Sequence, residues 1–141
     1  MNPTGFYTIV DHTADVGIEL EAAGKPEVFA AAALAMFDLM YGLEAISEKE
    51  TWRIEVKAES DEELLVAWLN EILYIHAVEK LLFAGFTEAT LSEGAFSALG
   101  HGERFDPIRH KGDMEIKAAT YHRLLLEKQK AGWKARIIFD V

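Results

Sequence analysis

The residues with the most chemical potential are acids near the two ends of the chain. Asp11 and Asp15 flank His12 in the run Val10-Asp11-His12-Thr13-Ala14-Asp15-Val16, and Asp140 stands beside Val141. If Val141 is the native end, its α-carboxylate puts two carboxylates on neighbouring residues. A last strand laid beside the first would bring Asp15 to them. Clustered carboxylates without soft ligands suit hard cations such as Ca²⁺ or Mg²⁺. Without a cation they repel one another. Spacing alone favours a plainer reading, in which Asp11 is a turn residue and Asp140 a solvated end.

Other chemistry is thin. His12, His76, His101, His110 and His122 include no His-x-x-x-His pair, and the chain has no cysteine. Thiolate zinc sites, disulfides, thiol catalysis and iron–sulfur clusters are thereby excluded. There is no Gly-rich phosphate loop followed by Lys-Ser/Thr, no dinucleotide fingerprint and no Gly-x-Ser-x-Gly elbow. His76 falls on an apolar helix and is expected to pack. His101 and His110 lie in turn-rich stretches and are expected to be exposed.

The elements that must position the acids follow from periodicity. Val16, Ile18 and Leu20 alternate with Gly17 and Glu19, the period of a half-buried strand, and residues 11–15 read as a turn or sharp corner after the apolar run at 6–10. A helix is expected from Gly24-Lys25-Pro26 to Gly42, with Phe29, Ala33, Met36, Phe37 and Met40 in its core. Trp52, Ile54, Val56 and Ala58 alternate with polar residues. Ser60-Asp61-Glu62-Glu63 then caps a second helix to about Glu79, apolar around much of its circumference. Strands are expected at 83–91 and 95–99, followed by a polar, turn-rich stretch at 100–107. Residues 114–128 are long for one strand, and Lys130-Ala131-Gly132 turns into a last alternating strand. This order gives an α+β class, a single domain over residues 1–141 with two helices on a largely antiparallel sheet.

Composition bounds the function. Half of the 141 residues are hydrophobic and 27% are charged, the balance of a soluble globular protein. No run of about 18 apolar residues spans a bilayer. No secretory signal is visible at the start, so an intracellular, cytoplasmic protein is expected. Lys and Arg number 14 against 24 Asp and Glu, a net charge of −10. That balance disfavours phosphate-driven nucleic-acid binding and suits a basic protein partner or simple solubility.

Five segments in order resemble the archease family: Val10–Gly17, Ala33–Met40, Glu63–Tyr74, Glu115–His122 and Ala135–Val141. Together they span essentially the whole chain. Departures are modest: Ile75-His76-Ala77-Val78 stands where an acidic residue and Thr often follow the second helix's aromatic end, and Ala119 where Val is frequent. The resemblance implies a non-catalytic protein cofactor of an RtcB-type RNA ligase, which seals tRNA halves with GTP and Mn²⁺. It also implies a divalent cation, with Ca²⁺ first and Mg²⁺ or Mn²⁺ as alternatives, at Asp15, Asp140 and Val141. Asp11, His12, Lys117 and His122 are secondary candidates for contact with partner or nucleotide, with direct RNA binding weak or absent. Two other functions fit the same sequence: a modulator of a tRNA-modifying enzyme such as a methyltransferase, and a metal-dependent hydrolase. The hydrolase lacks an obvious nucleophile or general base.

Overall fold

Alternation and helical period divide the chain much as its sequence suggests, with strands at both ends of the helices. The computed structural model describes residues 5–12 and 15–141, with Asp11 and His12 described in backbone only. The elements are β1 (Tyr7–His12), β2 (Asp15–Ala22), α1 (Lys25–Tyr41), a 3-10 turn (Leu43–Ala45), β3 (Glu50–Lys57) and α2 (Asp61–Glu79). They continue as β4 (Leu81–Ser92), β5 (Ala95–Arg104), β6 (Ala118–Ala119), β7 (Leu125–Gln129) and β8 (Gly132–Asp140). All pairings among the described residues are antiparallel. The class is α+β, as the sequence implies.

The strands divide between two sheets rather than forming one. One sheet runs β1-β2-β8-β6, with β7 also on β8; the other runs β3-β5-β4. The helices explain the division. Buried residues of α1 include Val28, Phe29, Ala32, Ala33, Ala35, Met36, Phe37 and Met40, and they lie on more than one face. A helix apolar around most of its surface needs cover on both sides. α1 accordingly packs on β2 and β8 of one sheet and β4 of the other, while α2 reaches β3, β4 and β5 as well as β6.

Aromatic side chains fill the space between. The rings of Phe29 and Phe96 lie 4.6 Å apart and those of Trp68 and Phe96 4.7 Å apart, within the range of favourable aromatic pairs. The Trp68 indole N–H donates to the Phe29 carbonyl at 2.9 Å, so its one polar atom is satisfied in the core. Ser60 caps α2 by accepting from the Glu63 N–H at 3.1 Å, a contact typically worth about 1 kcal/mol.

Two local readings of the sequence change and a third is resolved. β1 continues through His12 and β2 begins at Asp15, so residues 11–15 are largely strand; Thr13 and Ala14 lie outside the described residues. The stretch 100–104 belongs to β5 instead of a turn. A Cβ at Gly102 would run into the Leu82 carbonyl, so this glycine serves close strand approach. Residues 114–128 form no continuous strand: β6 and β7 both pair with β8, separated by a turn in which the Leu124 N–H donates to Tyr121.

Candidate functional site

Backbone register, rather than any one motif, assembles the acidic end of the first sheet. β2 pairs with β8 as Val16↔Phe139 and Gly17↔Ile138, and the next step of that register sets Asp15 across from Asp140. On the other side of β8, β6 pairs as Ala118↔Asp140, and the Lys117 N–H donates to the Asp140 carbonyl at 2.8 Å. The end of β8 is therefore held between the start of β2 and the edge formed by β6.

Strand alternation then fixes which face is used. Ile18, Ala135, Ile137 and Phe139 enter the core, so Asp15, Gly17, Ile138 and Asp140 belong to the opposite face. On that face Ile138 is only 1% exposed. It occupies the space a side chain at Gly17 would need, since a Cβ there would come within 2.5 Å of the Ile138 Cδ1. Thr120 adds a clamp, donating its N–H and its hydroxyl to the Ile138 carbonyl at 3.1 and 2.8 Å.

α2 fixes β6 from the core side. The Asn70 side-chain amide donates to the Ala119 carbonyl at 3.1 Å, and its oxygen accepts the Ala119 N–H at 2.8 Å. One side chain thus imitates a neighbouring strand for an element of two residues. Asp15 is half-buried, while Asp140 and Val141 are exposed.

Of the residues named from sequence, Asp15, Asp140 and Val141 come to adjoining strand ends, with Lys117 beside Asp140. His122 lies in the turn beyond Thr120, its N–H directed to the Thr120 hydroxyl at 3.3 Å. The backbones of Asp11 and His12 pair with Val16 and Asp15, and their side chains lie outside the described residues. Among the described residues no three His, Asp or Glu side chains gather as a metal group. The candidate corner instead comprises the carboxylates of Asp15 and Asp140, with Val141 beside Asp140. These are hard oxygen donors, which fit Ca²⁺ or Mg²⁺ in type and charge.

A second acidic group was not visible in the sequence. Glu103, at 3% exposure, accepts from the Ser47 N–H at 2.7 Å and meets His110 Nε2 at 2.9 Å and the Arg109 guanidinium. The Asp106 N–H donates to His110 Nδ1 at 2.8 Å, so the ring donates from Nε2 to Glu103. Burial alone would raise the Glu103 carboxyl. The Ser47 N–H, His110 and Arg109 outweigh burial and hold its pKa at about 2. His110 is therefore buried, at 2% exposure, and not exposed as its surroundings in sequence suggest. The reason is Glu103, which pulls the loop inward. Neither residue carries a local signal, because the two stand seven positions apart and meet only when the loop folds back on β5.

The other histidines behave as ordinary parts of the fold. His76 packs as expected: its rings contact Phe37 and Tyr41, the Tyr41 hydroxyl lies 3.0 Å from Nε2, and Nδ1 is 3.0 Å from the Leu81 carbonyl. Burial pushes its pKa below the usual histidine value. His101 is half-buried on β5, 2.7 Å from the Thr87 hydroxyl.

Comparison with known proteins settles the family. Residues 7–141 match the archease protein family. The chain belongs to the archease family. Archeases of Methanosarcina mazei and Pyrococcus furiosus are each 38% identical to it, over 96% and 93% of this chain and 95% of each relative. The solution structure of protein 1598 of Methanobacterium thermoautotrophicum superimposes with a TM-score of 0.81 at 29% identity. That likeness covers 96% of this chain and 98% of the other. A Thermotoga maritima crystal structure described as an archease, possible chaperone, shares the fold at TM-score 0.64 and 19% identity, over 94% of each chain. The archease match runs from β1 to Val141, so both strand ends of the acidic corner fall within it. Among the described residues no helix is long and apolar enough to cross a membrane.

Proposed function

We propose that this archease-family chain activates an RtcB-type RNA ligase in the cytoplasm, promoting its guanylylation and multiple turnover in tRNA splicing and RNA repair. It acts on that partner and turns over no substrate of its own. The supporting observation is the register of β2, β8 and β6, which brings Asp15, Asp140 and Val141 to one end of a sheet. These three would hold a divalent cation, Ca²⁺ or alternatively Mg²⁺ or Mn²⁺. When bound, the cation supplies positive charge where carboxylates converge and favours one arrangement of them.

The chain's own residues orient that end. Asn70 and Thr120 fix the β6 edge, and Ile138 packed against Gly17 keeps β2 close to β8. Lys117, whose N–H donates to the Asp140 carbonyl, is an exposed cation for contact with partner or nucleotide. A net charge of −10 supports a protein partner over direct RNA binding. The possible-chaperone description of the Thermotoga maritima relative agrees with action on another protein.

The test is GMP transfer to a purified RtcB-type ligase, alone, with this protein, and with its Asp15→Ala variant. Stimulation by the wild type that is lost in Asp15→Ala supports activation through the corner. Full stimulation by Asp15→Ala overturns the role of the corner. Absence of stimulation by the wild type overturns the ligase partner and favours a tRNA-modifying enzyme.

A further inference from the structure

A groove of about 1020 Å³ opens between α2, the end of α1 and the segment from Phe105 to Lys117. The segment is tied down along its length. The Phe105 N–H donates to the Lys80 carbonyl at 2.7 Å, the Asp113 N–H to Met40 at 2.9 Å, and the Lys117 N–H to Asp140 at 2.8 Å. The groove is therefore a built feature between fixed walls. Met40, Leu73, Met114 and Ile116 give it an apolar lining, with Tyr41 among them.

The helix face beside the groove is unusual for one turned to solvent. Positions 67, 70, 71, 74, 77 and 78 recur at three- and four-residue spacing and so share one side of α2. They are Ala67, Asn70, Glu71, Tyr74, Ala77 and Val78, with Glu71 the only charge; Asn70 is taken up by β6, and Tyr74, Ala77 and Val78 are exposed. Tyr74 is 61% exposed and Val78 54%, and Phe105 adds a partly exposed ring across the groove. Solvent-facing helix surfaces ordinarily carry most of a helix's charge. Tyr74, Ala77 and Val78 thus leave neighbouring apolar side chains exposed, a kind of surface that serves interaction.

Charge identifies the occupant. The carboxylates of Glu71, Asp113 and Glu115 make no hydrogen bond or ion pair with any described residue. Burial raises the Tyr41 hydroxyl, and the charge of Glu115 raises it further, which places that carboxylate close to the groove. Of the two lysines lining the groove, Lys80 donates to the Ala77 carbonyl at 2.9 Å, leaving Lys117 as the one without a side-chain partner among the described residues. Three unmatched acids around an apolar surface, on a chain of charge −10, complement apolar side chains flanked by Lys and Arg.

We propose that this groove and the adjoining face of α2 dock a basic amphipathic segment of a partner protein. Its apolar side chains enter between Tyr74 and the Phe105–Lys117 wall, and its basic side chains meet Glu71, Asp113 and Glu115. The inference rests on the reading that the chain acts on a protein partner. Lys117 joins the two sites, since it lines the groove and its N–H holds Asp140. A segment docked here brings the same partner to the acidic corner.

The first probe is a fluorescein-labelled Leu/Lys peptide of about 14 residues, long enough to form an amphipathic helix. Fluorescence anisotropy compares its binding with that of Leu/Glu and Ser/Lys counterparts. The wild type binds Leu/Lys about tenfold tighter than either counterpart, and Ala77→Trp, which fills the groove from an exposed position, weakens it about tenfold. Glu71→Lys combined with Glu115→Lys weakens it similarly. Equal binding by Ala77→Trp and wild type, or equal binding of Ser/Lys and Leu/Lys, overturns the proposal. So does a dimer in sedimentation that Ala77→Trp dissociates, because the face then belongs to a second copy. With an RtcB-type ligase, Ala77→Trp raises the concentration needed for half-maximal activation and spares the maximum, whereas Asp15→Ala lowers the maximum. If the wild type fails to activate the ligase but peptide binding still responds to Ala77→Trp, the ligase reading falls and the docking groove stands.

Discussion

Carboxylates meet different surroundings around Glu103 and at the end of β8, and the contrast separates an acid the fold satisfies from those suited to an outside partner. Around Glu103 the chain supplies the counter-charges itself: Arg109 and Lys49 approach the carboxylate, and His110 and the Ser47 N–H complete it. At the end of β8, by contrast, sheet register sets Asp15 and Asp140 on neighbouring strand ends, with Val141 next to Asp140. On the proposed function, a cation arriving from solution would balance the like charges there. The Glu103 group closes a loop, while the strand-end group has the composition of a ligand site.

Removing the internal carboxylate gives the largest effect. Glu103→Ala leaves His110 and Arg109 facing a buried gap, and breaking such a group costs about 3 kcal/mol. Urea unfolding reads this as a lower midpoint. A loss below about 0.5 kcal/mol would make the cluster no more than a surface ion pair.

The strand-end region is next, through its packing. Gly17→Val forces a side chain toward Ile138 in a filled space, and overpacking costs about 1–3 kcal/mol. The same variant should also weaken cation binding, because it separates β2 from β8. Cation affinity unchanged in a destabilised Gly17→Val protein would detach the corner from the register said to build it.

Acid separates the two regions further. The folded pKa of Glu103 is about 2, below its ordinary value of 4.5. Its contribution is complete above the ordinary value and is lost as pH falls from about 4.5 to 2. His76 acts over a milder range. Its folded pKa lies below 6.5, so the unfolded chain takes up a proton first and stability falls as pH drops below 6.5. His76→Gln should flatten the slope below pH 6.5 and leave the steeper acid limb of Glu103 in place. Chemical unfolding across that pH range measures both.

The smallest effect belongs to the exposed acid. Asp140→Asn without added cation should change stability by less than about 0.5 kcal/mol, since a surface carboxylate contributes little to packing.

How much of this was legible depends on whether a pattern was local. The alternation at 52–58, the Ser60 cap and the apolar period of both helices were readable because neighbouring residues determine them. The corner needed two ends of the chain to meet, and alternation on each strand indicated only that they could pair. Residue type named Asp15, Asp140 and Val141, resemblance to the archease family added weight to them, and register then put Asp15 and Asp140 on neighbouring strand ends. His110 was misread because turn-like surroundings conceal a partner seven positions earlier. Gly102 was misread because a glycine needed for strand contact looks, in sequence, like one needed for a turn. The exposed stripe on α2 was hidden for the opposite reason: apolar residues around a helix signal burial until the packing leaves one side uncovered.

The most direct measurement is a calcium titration of thermal stability on the wild type, Asp140→Asn and Glu103→Gln. A cation held only by the folded corner stabilises by about 2.7 kcal/mol at a hundredfold excess over its dissociation constant. The wild type and Glu103→Gln should both gain melting temperature as calcium rises, from different starting points, and Asp140→Asn should gain little. Equal gains in all three, or none in the wild type, would contradict a cation site at the end of β8.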